Sequence, residues 1–190
     1  LLNQAIDRVY CDFITADNKS GGYMAVEYLI HNGYDRIGMI VGNREVYTCR
    51  KRIEGYKEAL AFYNISIRED YIYYGQYRRQ TGYEGMKYLD SLGVRAVFAY
   101  DDEIAIGIYQ YARENNLVVG KDISVVGFNN MDIAAILTPP LTTIAQPGEQ
   151  MGKKAGEIII NRITGKDKDA VRDTYFAPVL IERQSVRRQG

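Results

Sequence analysis

The feature that most constrains this chain is an alternation. Short runs of β-branched and aromatic residues are each followed by a Gly or polar cluster and then by a helical pattern. The runs at 8–14, 36–41, 70–74, 95–100 and 122–128 read as strands, with helices expected over 20–32, 48–63, 81–92 and 102–115. In the first helix Val26, Leu29, Ile30 and Gly33 fall at i, i+3, i+4 and i+7, with Gly33 as the stop. Thr81 is placed to cap the third helix, which Gly93 ends. Pro139-Pro140 forces an extended turn before a short strand at 142–145. A helix at 148–163, a polar turn at 165–169 and a strand at 174–181 complete the pattern. Strands and helices alternating at this spacing imply parallel β-α-β units, so the expected class is α/β with a doubly wound parallel sheet.

Composition narrows the function. The 190 residues carry 24 Lys+Arg against 24 Asp+Glu. A neutral balance argues against a nucleic-acid-binding module by itself, because phosphate contacts need a cationic face. No apolar run approaches the ~18 residues of a membrane span. Asn3 and Gln4 follow Leu1-Leu2 at once, so no leader peptide is visible and a cytoplasmic location is expected. Cys11 and Cys49 are too few for a disulfide framework or a thiolate metal cage, and the single His31 excludes a two-histidine mechanism. No cofactor or metal is expected.

Ligands of open α/β sheets bind outside the carboxyl ends of the strands. The residues following the strands here are Asn43-Arg44, Gln76-Tyr77-Arg78, Tyr100-Asp101-Asp102, Asn129-Asn130 and Ala145-Gln146, while Arg50, Lys51 and Arg52 open the helix after the second strand. These groups hydrogen-bond hydroxyls and include no obvious nucleophile–base pair. Loops are polar in any protein, but five of one character at one sheet edge point to a small polar ligand.

Asp122-Ile123-Ser124-Val125-Val126-Gly127-Phe128-Asn129-Asn130, Pro139-Pro140-Leu141-Thr142-Thr143-Ile144-Ala145-Gln146-Pro147 and Met151-Gly152 closely resemble the lactose/galactose-repressor (LacI/GalR) family of bacterial transcription regulators. Asp17-Asn18, Arg52-Ile53-Glu54-Gly55-Tyr56 and Pro178-Val179-Leu180-Ile181-Glu182-Arg183 add to the likeness, which covers nearly the whole chain. The resemblance implies a periplasmic-binding-protein type I-like effector domain with one complete subdomain and part of the other. By the same resemblance, 1–35 is a remnant of the N-terminal subdomain and 36–146 the C-terminal subdomain. Residues 147–173 return to the first, and 174–190 form the final strand and tail of the second. The helix-turn-helix headpiece, the hinge helix and the first β-α units lie outside this chain.

The resemblance also implies an effector, a mono- or disaccharide, held between the subdomains. Arg52 matches an arginine that forks onto adjacent ligand hydroxyls; the alternative is a surface arginine in a helix's first turns. Asp101 matches an Asn or Asp that contacts hydroxyls, or else caps the 102–115 helix, or does both. Asn129 stands where Asp is frequent, and an amide donates as well as accepts. Gln146 lies at the crossover between lobes, Tyr77 where some members place an aromatic ring against the sugar, and Thr48 and Ser20 are minor contacts. Asp102 reads as helix-capping. The helix at 103–111 is apolar nearly all round, which the family resemblance turns into a homodimer interface using Ile106, Tyr109 and Leu137; a well-covered core helix is the alternative. Operator DNA would be reached only through the absent headpiece. Two other functions share these residues: a periplasmic-type sugar-binding protein, and a magnesium-dependent α/β enzyme using Asp101 and Asp102.

Overall fold

A computed structural model describes residues 1–3, 10–76, 78–166 and 170–189. Two of its strands stand apart: β1 (Phe13–Ala16) and β7 (Asp173–Phe176) pair in parallel as a two-stranded sheet. The other six, β2 (Ile37–Val41), β3 (Ile72–Tyr74), β4 (Ala96–Ala99), β5 (Ser124–Asn129), β6 (Thr142–Ala145) and β8 (Val179–Ile181), form one sheet in the order β3-β2-β4-β5-β6-β8. All its pairings are parallel except β6 with β8. This is the doubly wound α/β sheet expected from the alternation.

Strand side chains alternate between the faces, and each face buries a separate core. Met39, Phe98, Val126, Phe128 and Ile144 pack under α1 (Asn18–His31) and α2 (Tyr47–Phe62). Ile40, Val97 and Val125 pack under α3 (Arg78–Ser91) and α4 (Asp102–Glu114) on the other face. Short α5 (Asp132–Ile136) follows β5, and α6 (Gly148–Ile163) packs on β1 through Ile14, Ala16, Met151 and Ile158.

The helices cross closely because glycines face backbone at both contacts. A Cβ on Gly55 would stand 2.0 Å from the Lys19 carbonyl oxygen, and one on Gly82 would stand 2.0 Å from that of Ile104. Only hydrogen fits at either place. The first contact sets Arg52, one turn before Gly55, beside the first turn of α1.

Several expectations shift. The boundary expected at 35 assigns the first helix to the remnant of the N-terminal subdomain, yet α1 packs on α2 and the six-stranded sheet. Its buried stripe of Ala25, Val26 and Leu29 needs the large apolar face that only that sheet offers. The single strand expected at 174–181 is two, β7 in the small sheet and β8 in the large one. Pro178 separates them and has no N–H to donate to a ladder. Thr81 does not cap α3; it lies buried within the helix. The first expected strand runs instead over Phe13–Ala16, and its residues 8 and 9, like Asp167, Lys168 and Asp169 of the polar turn, lie outside the described residues.

Candidate functional site

The order of the large sheet reverses between β2 and β4, so their outgoing segments diverge and leave a crevice at the carboxyl ends. Arg52 lies at this edge, against Tyr100 after β4 and Asn129 at the end of β5. The side chain is 3% exposed, so it is not a surface arginine. Its Nε donates to Oδ1 of Asn18 at 2.9 Å, Nη1 donates to the Tyr100 carbonyl, and Nη2 reaches Oδ1 of Asn129 at 3.5 Å. The guanidinium carbon lies 3.5 Å from the Phe128 ring centroid and 4.4 Å from that of Tyr100. Two aromatic faces therefore take the place of water around the cation. Burial lowers the Arg52 pKa to about 10, which still leaves it charged at neutral pH.

Asn129 ends β5 and Asn130 follows it, with φ of +101° and +51°, a backbone that asparagine tolerates better than most residues. The turn aims Oδ1 of Asn129 at both Arg52 and Gln146, whose Nε2 donates to it at 2.6 Å. Gln146 accepts in turn from Nδ2 of Asn3 at 2.9 Å. Asn3 Oδ1 accepts from Thr15 Oγ1 and from the Ala16 backbone N–H. Asn18 donates to the Ala16 carbonyl and to Thr15 Oγ1. One connected set of polar side chains thus joins the small sheet to the crevice of the large one.

The structure brings Arg52, Asn129 and Gln146 into direct hydrogen-bonded contact. Thr48 lies beside them through a 2.7 Å bond between its hydroxyl and that of Tyr100. Asp101 is 2% exposed at the same edge and caps α4, its Oδ1 accepting from the Ile104 N–H at 2.9 Å. Burial raises its pKa. Ser20 is turned away, donating to the Asp17 carboxylate at 2.6 Å on the exposed first turn of α1. Tyr77 lies outside the described residues. Asp102 is not the cap expected: its Oδ2 accepts from the Met131 N–H and its Oδ1 from Thr143 Oγ1, both at 2.7 Å, tying α4 to β6. Burial raises the Asp102 pKa to about 6. With these oxygens committed, the Asp101-Asp102 pair offers no open acidic pocket. Among the described residues no three His, Cys, Asp or Glu side chains gather to hold a metal.

Asn3, Thr15 and Asn18 were not singled out as site residues from sequence. Asn18 stood in the Asp17-Asn18 motif, which was the available signal; Asn3 carried none. Ile106, Tyr109 and Leu137 line one groove of about 510 Å³ beside α4, so the structure gathers these three as well. Tyr109 donates to the Pro139 carbonyl at 2.8 Å.

The fold is that of a periplasmic binding protein-like domain, and the sequence profile of that family matches residues 26–186. The chain belongs to the periplasmic binding protein-like domain family. Its relatives are regulators. It is 36% identical over 180 residues to the HTH-type transcriptional repressor PurR of Vibrio campbellii, covering 93% of this chain and 53% of that protein. It is 36% identical over 176 residues to the ribose operon repressor of Escherichia coli, covering 92% and 53%. Among solved structures, a LacI family transcriptional regulator from Enterococcus faecium with bound ribose superposes with a TM-score of 0.90 at 29% identity, covering 100% of this chain and 70% of that one. The CelR–cellobiose complex gives 0.90 at 29% identity, covering 97% and 57%. The chain spans about half the length of the curated relatives it matches.

Proposed function

We propose that this chain is the ligand-sensing part of a LacI/GalR-type bacterial transcription regulator, and that it binds a small sugar-like effector at Arg52, Asp101, Asn129 and Gln146. Thr48 supports the site through Tyr100. The observation that carries this reading is the hydrogen-bonded meeting of Arg52 and Gln146 on Asn129 at the carboxyl ends of β5 and β6. Those three come from α2, β5 and the segment after β6, so a ligand seated there is held from three directions. Because Gln146 also bonds Asn3, a ligand that alters this contact shifts the small sheet relative to the large one. Such a shift is the physical form of coupling between two sites, typically ~1–3 kcal/mol. Operator DNA would be contacted by a headpiece outside this chain, in the cytoplasm. Two copies would pair through α4 with Ile106, Tyr109 and Leu137.

A melting-temperature screen with ribose, cellobiose and other mono- and disaccharides tests the reading, since a ligand that binds only the folded state raises the midpoint. A rise that disappears in Arg52→Lys is expected. A rise unchanged in that variant would place the ligand elsewhere.

A further inference from the structure

Two consecutive residues reverse the chain after β5, Asn129 with φ of +101° and Asn130 with φ of +51°. The second lies in the left-handed helical well. The first lies outside it, where a residue with a Cβ stays only if its surroundings hold it. The strain thus stands on the residue whose Oδ1 meets Arg52 and Gln146. Whatever holds the reversal decides where that oxygen points.

Among the described residues, three side chains fasten Asn130 and Met131. Oδ2 of Asp102 accepts from the Met131 N–H at 2.7 Å. Thr143 Oγ1 accepts from the Asn130 N–H at a long 3.4 Å. Thr143 lies two residues before Ala145, the ladder partner of Asn129, so the chain has already turned back along β6. The third is Arg183, just past β8, whose Nη2 donates to Oδ1 of Asn130 at 2.8 Å. Arg183 is placed independently of the reversal. Its backbone N–H donates to Thr142 Oγ1 at 2.9 Å and its Nη1 to the Leu141 carbonyl at 2.7 Å. Two residues on, buried Ser185 bonds both Val125 and Thr142. One planar guanidinium therefore ties the reversal to the start of β6 through two adjacent donors, a fork that a lysine cannot reproduce.

We infer that Arg183 is a positioning residue of the effector site: by anchoring Asn130 it holds the strained Asn129 backbone, and with it Asn129 Oδ1, between Arg52 and Gln146. This rests on the crevice being the effector site, as proposed above, and adds a residue that touches none of the four proposed ligand contacts.

Side-chain amide NMR of the ligand-free chain and calorimetric titration with ribose and cellobiose test it together. R183M keeps the apolar stem and removes both donors of the fork. N130G removes only the acceptor, since glycine adopts positive φ freely. Gln146 bonds neither substituted residue, so its NH2 resonance reports on Asn129. Each variant should move that resonance and weaken whichever sugar the parent binds by about fivefold or more. The double variant N130G/R183M should bind the sugar as N130G does, because Arg183 acts through Asn130. Should R183M not fold, N130G reads the same link from its other end. A lower melting midpoint with the Gln146 signal unmoved would overturn the inference and leave Arg183 a structural residue. A double variant that loses affinity additively would overturn it too. A moved Gln146 signal with undiminished sugar binding would sink the reading of the crevice as the effector site and leave the link between Arg183 and Asn129 standing. A parent that binds neither sugar counts against that same reading, and the Gln146 signal alone then decides the link.

Discussion

Gln146 donates its side-chain N–H to the carbonyl oxygen of Asn129 across 2.6 Å. The two residues end adjacent parallel strands, and the bond fixes the polarity of the crevice. Behind Gln146 stands Asn3, anchored by a backbone N–H of the small sheet. In front of Asn129 stands Arg52, anchored through Asn18 to a backbone carbonyl of the same residue, Ala16. Both arms of the network therefore start from Ala16, where the small sheet gives way to α1.

Removing Arg52 tests how far the fold relies on that network. Arg52→Ala strips the donor from the buried acceptor on Asn18 and from the Tyr100 carbonyl, and leaves space between Phe128 and Tyr100. Loss of a buried charge offsets part of that cost. A net loss of about 1–3 kcal/mol is expected in urea unfolding. A variant as stable as the parent would show that Arg52 is not held as described.

The α1–α2 crossing is tested by a pair of glycines in helices. Gly55→Ala forces a methyl group to 2.0 Å from the Lys19 carbonyl, so the helices must part. The expected cost is about 2 kcal/mol or more despite the better helix propensity of Ala. Gly152→Ala in α6 meets nothing within 4 Å and should stabilise by about 0.5–1 kcal/mol. Equal effects at the two positions would contradict the packing.

Much of this was legible in the sequence because periodicity reports burial. The strand and helix alternations that fix a doubly wound sheet appear as apolar spacing, and Arg52, Asn129 and Gln146 follow the strands that position them. Which sheet an element joins was not legible. The stripe of α1 says that it is buried on one face, not which face it meets, and nothing local in 174–181 says that Pro178 divides two ladders. The role of Asn3 could not be read either, because its partner Gln146 is 143 residues away and the pairing exists only after folding. Asp102 reads as a cap because it opens a helix; its bond to Thr143 depends on the register of β5 with β6.

Asp102 makes stability depend on pH. Burial, the leading cause, raises its pKa to about 6 from an ordinary 3.8, so the folded state holds the proton more tightly than the unfolded state. Its contribution is fully present below about pH 3.8 and is lost as pH rises through about 6. The stability difference between the parent and Asp102→Asn should therefore move by roughly 1–3 kcal/mol in favour of Asn between pH 4 and 7. Parallel curves for the two proteins in urea unfolding across that range would contradict the assignment.

Ile106, half-buried on α4, borders the groove shared with Leu137 and Tyr109. If two copies pair through that face, Ile106→Asp places a charge in the interface and sedimentation should fall to the 21.6 kDa monomer. A dimer that survives the substitution would move the interface elsewhere, and a monomeric parent would remove it.

The most direct measurement is an NMR titration that follows side-chain amides with the sugar that raises the melting midpoint. The Asn129 and Gln146 NH2 resonances and the Arg52 Nε–H resonance should shift together with one dissociation constant, ahead of amides on the α4 groove. Shifts confined to other parts of the chain, with those three side chains unmoved at saturation, would contradict the placement of the effector in this crevice.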